Sequence, residues 1–246
     1  MSTAPPPWAT PGPYTAALRS GHGPLFLRRA DGRLLPLEVE RWCARADAVD
    51  RAALDRCEGT VLDIGCGPGR LVAELAARGR TALGIDVSEA AVEQTVRHGG
   101  QALRRSVFEP LPGEGRWGTL LLMDGNLGIG GDPAALLERA AGLLRPGGLL
   151  LAETVPVDVD ERLHVRLSDA RTTTGSSFPW ARLGTPALLR YAYGWERAGQ
   201  WAGGGRRFVA LRSRSASSSA EPPKRSAVIS SQRARKPSVD VPVANR

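Results

Sequence analysis

Cysteine is scarce in this 246-residue chain: Cys43, Cys57 and Cys66 are the only three. None forms a C-x-x-C pair and none belongs to a dense Cys/His cluster. This argues against a disulfide framework or a structural zinc site, and no metal is expected. The three read as reduced thiols of a cytoplasmic protein. Long apolar runs are missing too. The most apolar stretches, such as residues 149–152, fall far short of the roughly 20 residues that a membrane span needs. The first 13 residues lack a basic start followed by an apolar stretch, so no signal peptide is visible. Lysine is nearly absent, with only Lys224 and Lys236. The formal charge is +8, but seven Lys/Arg fall between Ser213 and Arg246, against Glu221 and Asp240. Elsewhere arginine supplies the positive charge beside much Ala and Gly. That reads as the coding bias of a GC-rich, bacterial genome, and a specific nucleic-acid partner is not expected.

What is present organises the chain into four parts. Residues 1–13, rich in Pro, Ala and Thr, read as a flexible leader. Residues 14–58 read as a hairpin and helical cap, with Asp31-Gly32 turning between two apolar runs at residues 25–35. Residues 59–212 read as the main domain. Residues 213–246, a Ser/Pro/Arg segment of low complexity, read as a disordered basic tail. Between residues 59 and 153 strands and helices alternate. Strands are expected at residues 60–64, 81–86, 101–107, 119–123 and 149–153, and helices over Arg70–Ala77, after Ser88 and after Asp132-Pro133. Such alternation predicts an α/β fold with a Rossmann-like, doubly wound, mostly parallel sheet. Further on, residues 162–167 alternate as a half-exposed strand, and Thr185-Pro186 opens a short helix. Residues 195–201 and 206–211 form a C-terminal antiparallel hairpin.

The most informative stretch is Asp63-Ile64-Gly65-Cys66-Gly67-Pro68-Gly69-Arg70. It places a glycine-rich turn between a strand and a helix, at the strand end where open α/β sheets bind ligands. Glycines let the backbone turn sharply and approach a ligand without a Cβ in the way. A dinucleotide site wants G-x-G-x-x-G, yet Arg70 stands where the third glycine should be. The spacing is instead D-x-G-x-G-x-G. Asp63 adds negative charge that opposes a pyrophosphate and suits an ammonium group.

This motif resembles the first motif of the class I S-adenosylmethionine-dependent methyltransferases. Gly84-Ile85-Asp86 resembles the acidic end of their second strand, and Leu144-Arg145-Pro146-Gly147-Gly148 the turn before their fifth. The resemblance covers residues 59–153 well and extends loosely to Leu211. It implies S-adenosylmethionine as cofactor and methyl transfer as the activity. Gly65, Gly67 and Gly69 would line the methionine and ribose. Asp63 would hold the amino group, directly or through water. Asp86 would accept from both ribose hydroxyls, and Val87 and Ser106 would meet the adenine. Many members carry an acidic residue where Ser106 falls. Two other readings compete: a non-catalytic S-adenosylmethionine-binding module, and an NAD-dependent oxidoreductase, which Arg70 disfavours.

The acceptor site is harder to read. A sulfonium methyl is already activated, so alignment and exclusion of water carry much of the rate. A general base is needed only for an acceptor that holds a proton. Asp124 and Asn126 follow the fourth strand, where the methyl should point, and His164 is a candidate base. Trp180, Arg182, Tyr191 and Tyr193 are candidate pocket residues. The 25–35 hairpin and the segment around residues 180–193 are expected to close over the methyl end. Asp124-Gly125-Asn126-Leu127 is not the N/D-P-P-Y/F tetrapeptide of adenine-amino DNA methyltransferases. No Pro-Cys pair marks a cytosine-C5 enzyme, and no paired glutamates mark an arginine methyltransferase. A small-molecule acceptor remains.

Overall fold

The computed structural model describes Trp8, residues 12–169, Arg171 and residues 173–214. Most of the expected leader, and the tail beyond Arg214, lie outside the described residues. The chain forms two sheets. The larger has seven strands: β3 (Val61–Ile64), β4 (Ala82–Asp86), β5 (Ala102–Arg104), β6 (Trp117–Leu122), β7 (Leu144–Thr154), β10 (Trp195–Gly203) and β11 (Arg206–Ser213). Their order is β10-β11-β7-β6-β3-β4-β5. The five strands from β3 to β7 pair in parallel, and the hairpin β10/β11 adds antiparallel on β7. From β3 the chain winds outward to β4 and β5, then returns to β6 on β3's other side. That reversal makes the switch point at which such sheets bind ligands.

Helices cover both faces, which is why β3 and β6 are buried along their whole length. Alternate residues of one strand serve opposite faces. Leu62, Leu120, Leu150 and Val209 join α6 (Pro133–Leu143) and α7 (Thr185–Tyr191) in one apolar cluster. Val61, Leu121, Leu151 and Phe208 join α3 (Ala48–Leu54) and α4 (Arg70–Ala77) in another. Expected caps are in place. Asp132 Oδ1 accepts from the Ala134 and Ala135 amides, and Ser88 Oγ from Ala91 N at the start of α5 (Glu89–Arg97). These satisfy amides that a helix start leaves without partners.

The second sheet is not foreseen by the sequence reading. It is antiparallel, with order β2-β1-β8-β9. The expected hairpin supplies β1 (Phe26–Arg29) and β2 (Leu34–Pro36), the expected half-exposed strand is β8 (Asp160–Ser168), and β9 (Thr173–Leu183) is new. Pro179 hides β9 in the sequence, and an edge strand tolerates a proline. Helices α1 (Pro13–Ser20) and α2 (Val39–Cys43) pack here, so Tyr14, Leu18, Leu25, Leu27, Val39, Val165, Leu167 and Phe178 share a third cluster. The helix α1 opens on Pro13, the last residue of the expected leader.

β5 is shorter than the expected strand over residues 101–107. The Arg105 amide makes a last ladder bond to Asp86 O, and Ser106 Oγ then accepts from Phe108 N in the turn that follows.

Candidate active site

A cavity of about 290 Å³ opens at the carboxyl ends of β3, β4 and β6, between the two sheets. The glycine loop forms its floor. Gly65, Gly67 and Gly69 all have positive φ, at 72°, 54° and 85°, a region that side chains disfavour. At Gly65 a Cβ would also lie 2.7 Å from Asn126 Nδ2. The loop is tied to β4, with the Gly65 and Cys66 amides both donating to Ile85 O.

Asp86 is buried at the end of β4. Its Oδ2 accepts from Gly67 N at 3.0 Å and its Oδ1 from Ser88 N at 2.8 Å. Burial pushes its pKa up to about 6, opposed by those amides. Each carboxylate oxygen keeps a lone pair for a further donor. Val87, Ser106 and Phe108 line the adjoining wall. Phe108 rests on Gly130, where a Cβ would come within 2.8 Å of its ring.

After β6 the chain turns through two left-handed residues, Asp124 at φ 55° and Gly125 at φ 86°. This brings Asn126, at the start of a 3₁₀ turn (Asn126–Gly131), over the glycine loop. Its Nδ2 donates to Ile64 O and Gly65 O, both at 2.9 Å. Asp124 enters a buried ion network. Arg70 Nη1 lies 2.6 Å from Asp124 Oδ2, and Arg41 Nη1 2.7 Å from Oδ1. Arg70 also binds Asp50 through two nitrogens, at 2.9 and 3.1 Å. Arg206 bridges Asp50 to Glu153, and Glu153 Oε2 accepts from Asp124 N. Burial alone would raise the Asp50 carboxyl, but hydrogen bonds and charge from Arg70 and Arg206 hold it well below the usual range. Burial would lower the Arg70 guanidinium, yet Asp124 and Asp50 hold it above its ordinary value.

Of the residues singled out in the sequence, Gly65, Gly67, Asp86, Val87, Ser106, Asp124 and Asn126 line this cavity together. Three expected positions are corrected. Asp63 is fully buried behind the loop, does not line the cavity, and leaves Oδ2 without a partner. Burial pushes its pKa up to about 7 despite Arg70; Asp86 and Asp124 are the carboxylates that line the cavity. Gly69 is the left-handed N-cap of α4. Its missing Cβ makes room for Thr95, which would otherwise be 2.4 Å away. His164 is exposed on β8 and faces away from the cavity, because its neighbours Leu163 and Val165 take the inward positions.

Among the candidate pocket residues only Trp180 lines the cavity. Arg182 pairs with Glu161, Tyr191 donates to Asp160, and Tyr193 is 72% exposed. The 25–35 hairpin is no lid either: Leu25 and Leu27 support the cavity's aromatic wall from behind. That wall consists of Trp8, Tyr14, Trp42, Phe178 and Trp180, none but Trp180 singled out from sequence. Arg70, read only as a missing glycine, is a wall residue as well. A buried-charge role had one signal: an arginine directly behind a glycine loop, with no ligand phosphate to bind.

A family model described as a methyltransferase domain matches residues 37–188, from the segment before α2 into α7. The ubiquinone biosynthesis O-methyltransferase of Caulobacter vibrioides is 32% identical over 142 residues, 50% of this chain and 56% of that protein. The trans-aconitate 2-methyltransferase of Methylobacterium radiotolerans is 34% identical over 159 residues, 61% of this chain and 57% of that protein. The chain therefore spans little more than half the length of these curated relatives. Among solved structures, a SAM-dependent methyltransferase from Bacteroides fragilis in complex with S-adenosylhomocysteine superposes with a TM-score of 0.71 at 22% identity. That match covers 86% of this chain and 98% of the other. The 1,6-didemethyltoxoflavin-N1-methyltransferase of Burkholderia thailandensis gives 0.53 at 21% identity, covering 87% and 93%. These likenesses show the Rossmann-like fold. The family match extends over more than half of the sequence, and the chain belongs to the methyltransferase domain family.

Proposed function

We propose that the protein is an S-adenosylmethionine-dependent methyltransferase acting on a small-molecule acceptor. One observation carries the reading: left-handed glycines and the Asp86 carboxylate border the same cavity, at the switch point of a parallel sheet. The residues fit the cofactor. Gly65 and Gly67 let its methionine and ribose approach the backbone. Asp86 has two lone pairs left for the ribose hydroxyls. Val87 and Phe108 offer flat apolar walls to the adenine, and the Ser106 hydroxyl a donor. Asp124 offers the ammonium a carboxylate on the cavity wall.

The cofactor supplies a methyl group on a sulfonium, activated without help from the protein. The chain's task is then to orient and to exclude water. Asn126 holds the glycine loop and the turn after β6 at a fixed distance. The Asp124–Arg41 ion pair ties the turn after β6 to α2. The aromatic wall keeps the acceptor side dry. Trans-aconitate and 1,6-didemethyltoxoflavin, after which two of the relatives are named, are small molecules, which supports an acceptor of that size. Three free thiols, two of them buried, support a cytoplasmic setting.

Calorimetry and thermal melts test the cofactor. S-adenosylmethionine and S-adenosylhomocysteine should raise the melting temperature, and NAD should not. A ligand at about 100 times its dissociation constant adds roughly 2.7 kcal/mol. Stabilisation by NAD alone would overturn the reading. Methyl-label transfer to a cell extract, with mass spectrometry of the product, then separates an enzyme from a binding module.

A further inference from the structure

The aromatic side of the cavity says more about the acceptor than the sequence does. Five rings line it, contributed by four separate parts of the chain: Trp8, Tyr14 of α1, Trp42 of α2, and Phe178 and Trp180 of β9. They brace one another. Trp8 meets Tyr14 edge-on at 4.9 Å between centroids and Phe178 at 5.3 Å. Tyr14 meets Trp42 at 6.5 Å, and Phe178 meets Trp180 at 6.3 Å. Edge-to-face contacts fix ring orientation, so this wall is preformed rather than moulded by a ligand. Trp180 is held further by Gly128, where any Cβ would fall within 2.4 Å of the indole.

Charge narrows the class. Arg70, Arg105, Asp86 and Asp124 line the cavity, and Arg41 lies behind Asp124. Both aspartates already have partners in arginines or main-chain amides, so a cationic acceptor would gain no free carboxylate and would meet the sulfonium. The lining also offers little to remove a proton. Asp124 is bound by Arg41 and Arg70, Asp86 by two backbone amides, and burial holds the Tyr14 hydroxyl well above its usual range.

Building on the methyltransferase reading, we propose that this chamber takes a planar aromatic acceptor, neutral or anionic, that arrives with its nucleophilic lone pair free. A phenolate oxygen and a ring nitrogen are two such groups. The lone pair forms the new bond to the methyl carbon as the carbon–sulfur bond breaks. The bonding pair stays on sulfur, which becomes a neutral thioether. A phenolate leaves as a neutral ether and a ring nitrogen as its methylated cation. Neither requires the protein to take a proton.

The test uses the full chain saturated with S-adenosylhomocysteine, whose binding is first verified by calorimetry. That step separates failure of this proposal from failure of the cofactor reading. Three probes are titrated: 2-naphthol, its saturated counterpart decahydro-2-naphthol, and the cation (2-naphthylmethyl)trimethylammonium. The expected result is 2-naphthol binding about ten-fold tighter than the saturated probe, with the cation weakest. Trp180→Leu should abolish the preference while S-adenosylhomocysteine still binds. Trp42→Leu, at a half-buried site, repeats the test should Trp180→Leu fail to fold. Equal affinity for the aromatic and saturated probes, tightest binding of the cation, or no binding of 2-naphthol would overturn the proposal.

Discussion

The two sheets meet at one cavity but contribute to it in different ways. The seven-stranded sheet supplies backbone: left-handed glycines, strand ends and carboxylates that accept from main-chain amides. The four-stranded sheet and its helices supply side-chain surface, in the form of rings that hold one another. A site made of backbone demands particular residues at fixed spacing. A site made of apolar surface accepts many residues at many positions. The first kind suits a ligand shared across a family, and the second suits whatever acceptor one member uses.

The contrast is broken most directly inside the seven-stranded half, at the ion network behind its glycine loop. Arg70→Ala would leave Asp50 and Asp124 each short of a buried cation. Removing one member of such a network costs about 3–5 kcal/mol, read as a shift in the urea midpoint. A loss below about 1 kcal/mol would show that this network adds little to the stability of the larger half. Next in size is Asp86→Ala, which acts on the backbone-built half only. Loss of charge-assisted hydrogen bonds predicts about 1.5–3 kcal/mol weaker cofactor binding with the fold retained. Unchanged affinity by calorimetry would remove Asp86 from the site.

A smaller effect sharpens the role of Asp63. Its carboxyl in the folded state titrates near 7, raised by burial, whereas unfolded it titrates near 4. Between those values the folded state carries a proton that the unfolded state has released. Stability contributed by this group is thus present in acid and lost as pH rises through about 7. Asp86, raised to about 6, adds a slope of the same sign. Asp63→Asn should flatten part of that slope and stabilise the protein at pH 8, as seen in unfolding curves across pH. A slope identical to the parent's would mean that Asp63 stays ionised. The smallest effect belongs to His164→Ala. An exposed strand residue outside the cavity should change stability by no more than about 0.5 kcal/mol and leave turnover intact. A loss of turnover would restore it as a base.

The same contrast explains what could be read from the sequence. Alternate glycines after a strand announce themselves because few residues adopt positive φ. Asp132-Pro133 and Ser88 announce helix starts because unpartnered amides need an oxygen. The glycine-loop side of the cavity was therefore legible in Gly65, Gly67, Asp86, Val87 and Ser106. Asp63 and Gly69 carried the motif but not the contact: one sits behind the loop, and the other clears space for Thr95. β9 was hidden by Gly175 and Pro179. Tyr14 and Trp42 have no fixed spacing from anything, since three-dimensional packing alone brings them beside Phe178. The Asp50–Arg70–Asp124 contacts were invisible for a similar reason: ion pairs between distant residues leave no local pattern.

The register of the smaller sheet also sets an order of events during synthesis. Phe26 pairs with Ser168 and Arg29 with Val165, partners separated by roughly 140 residues of chain. At about 5–20 residues per second, β1 leaves the ribosome some 7–28 s before β8 arrives. All five parallel strands are made in that interval. Leu25 and Leu27 must therefore wait beside the forming larger sheet without their final neighbours. The aromatic chamber is completed only once the chain has passed Trp180, with the β10/β11 hairpin still to follow, so a ribosome stalled before that point would present the glycine loop and an unfinished acceptor side.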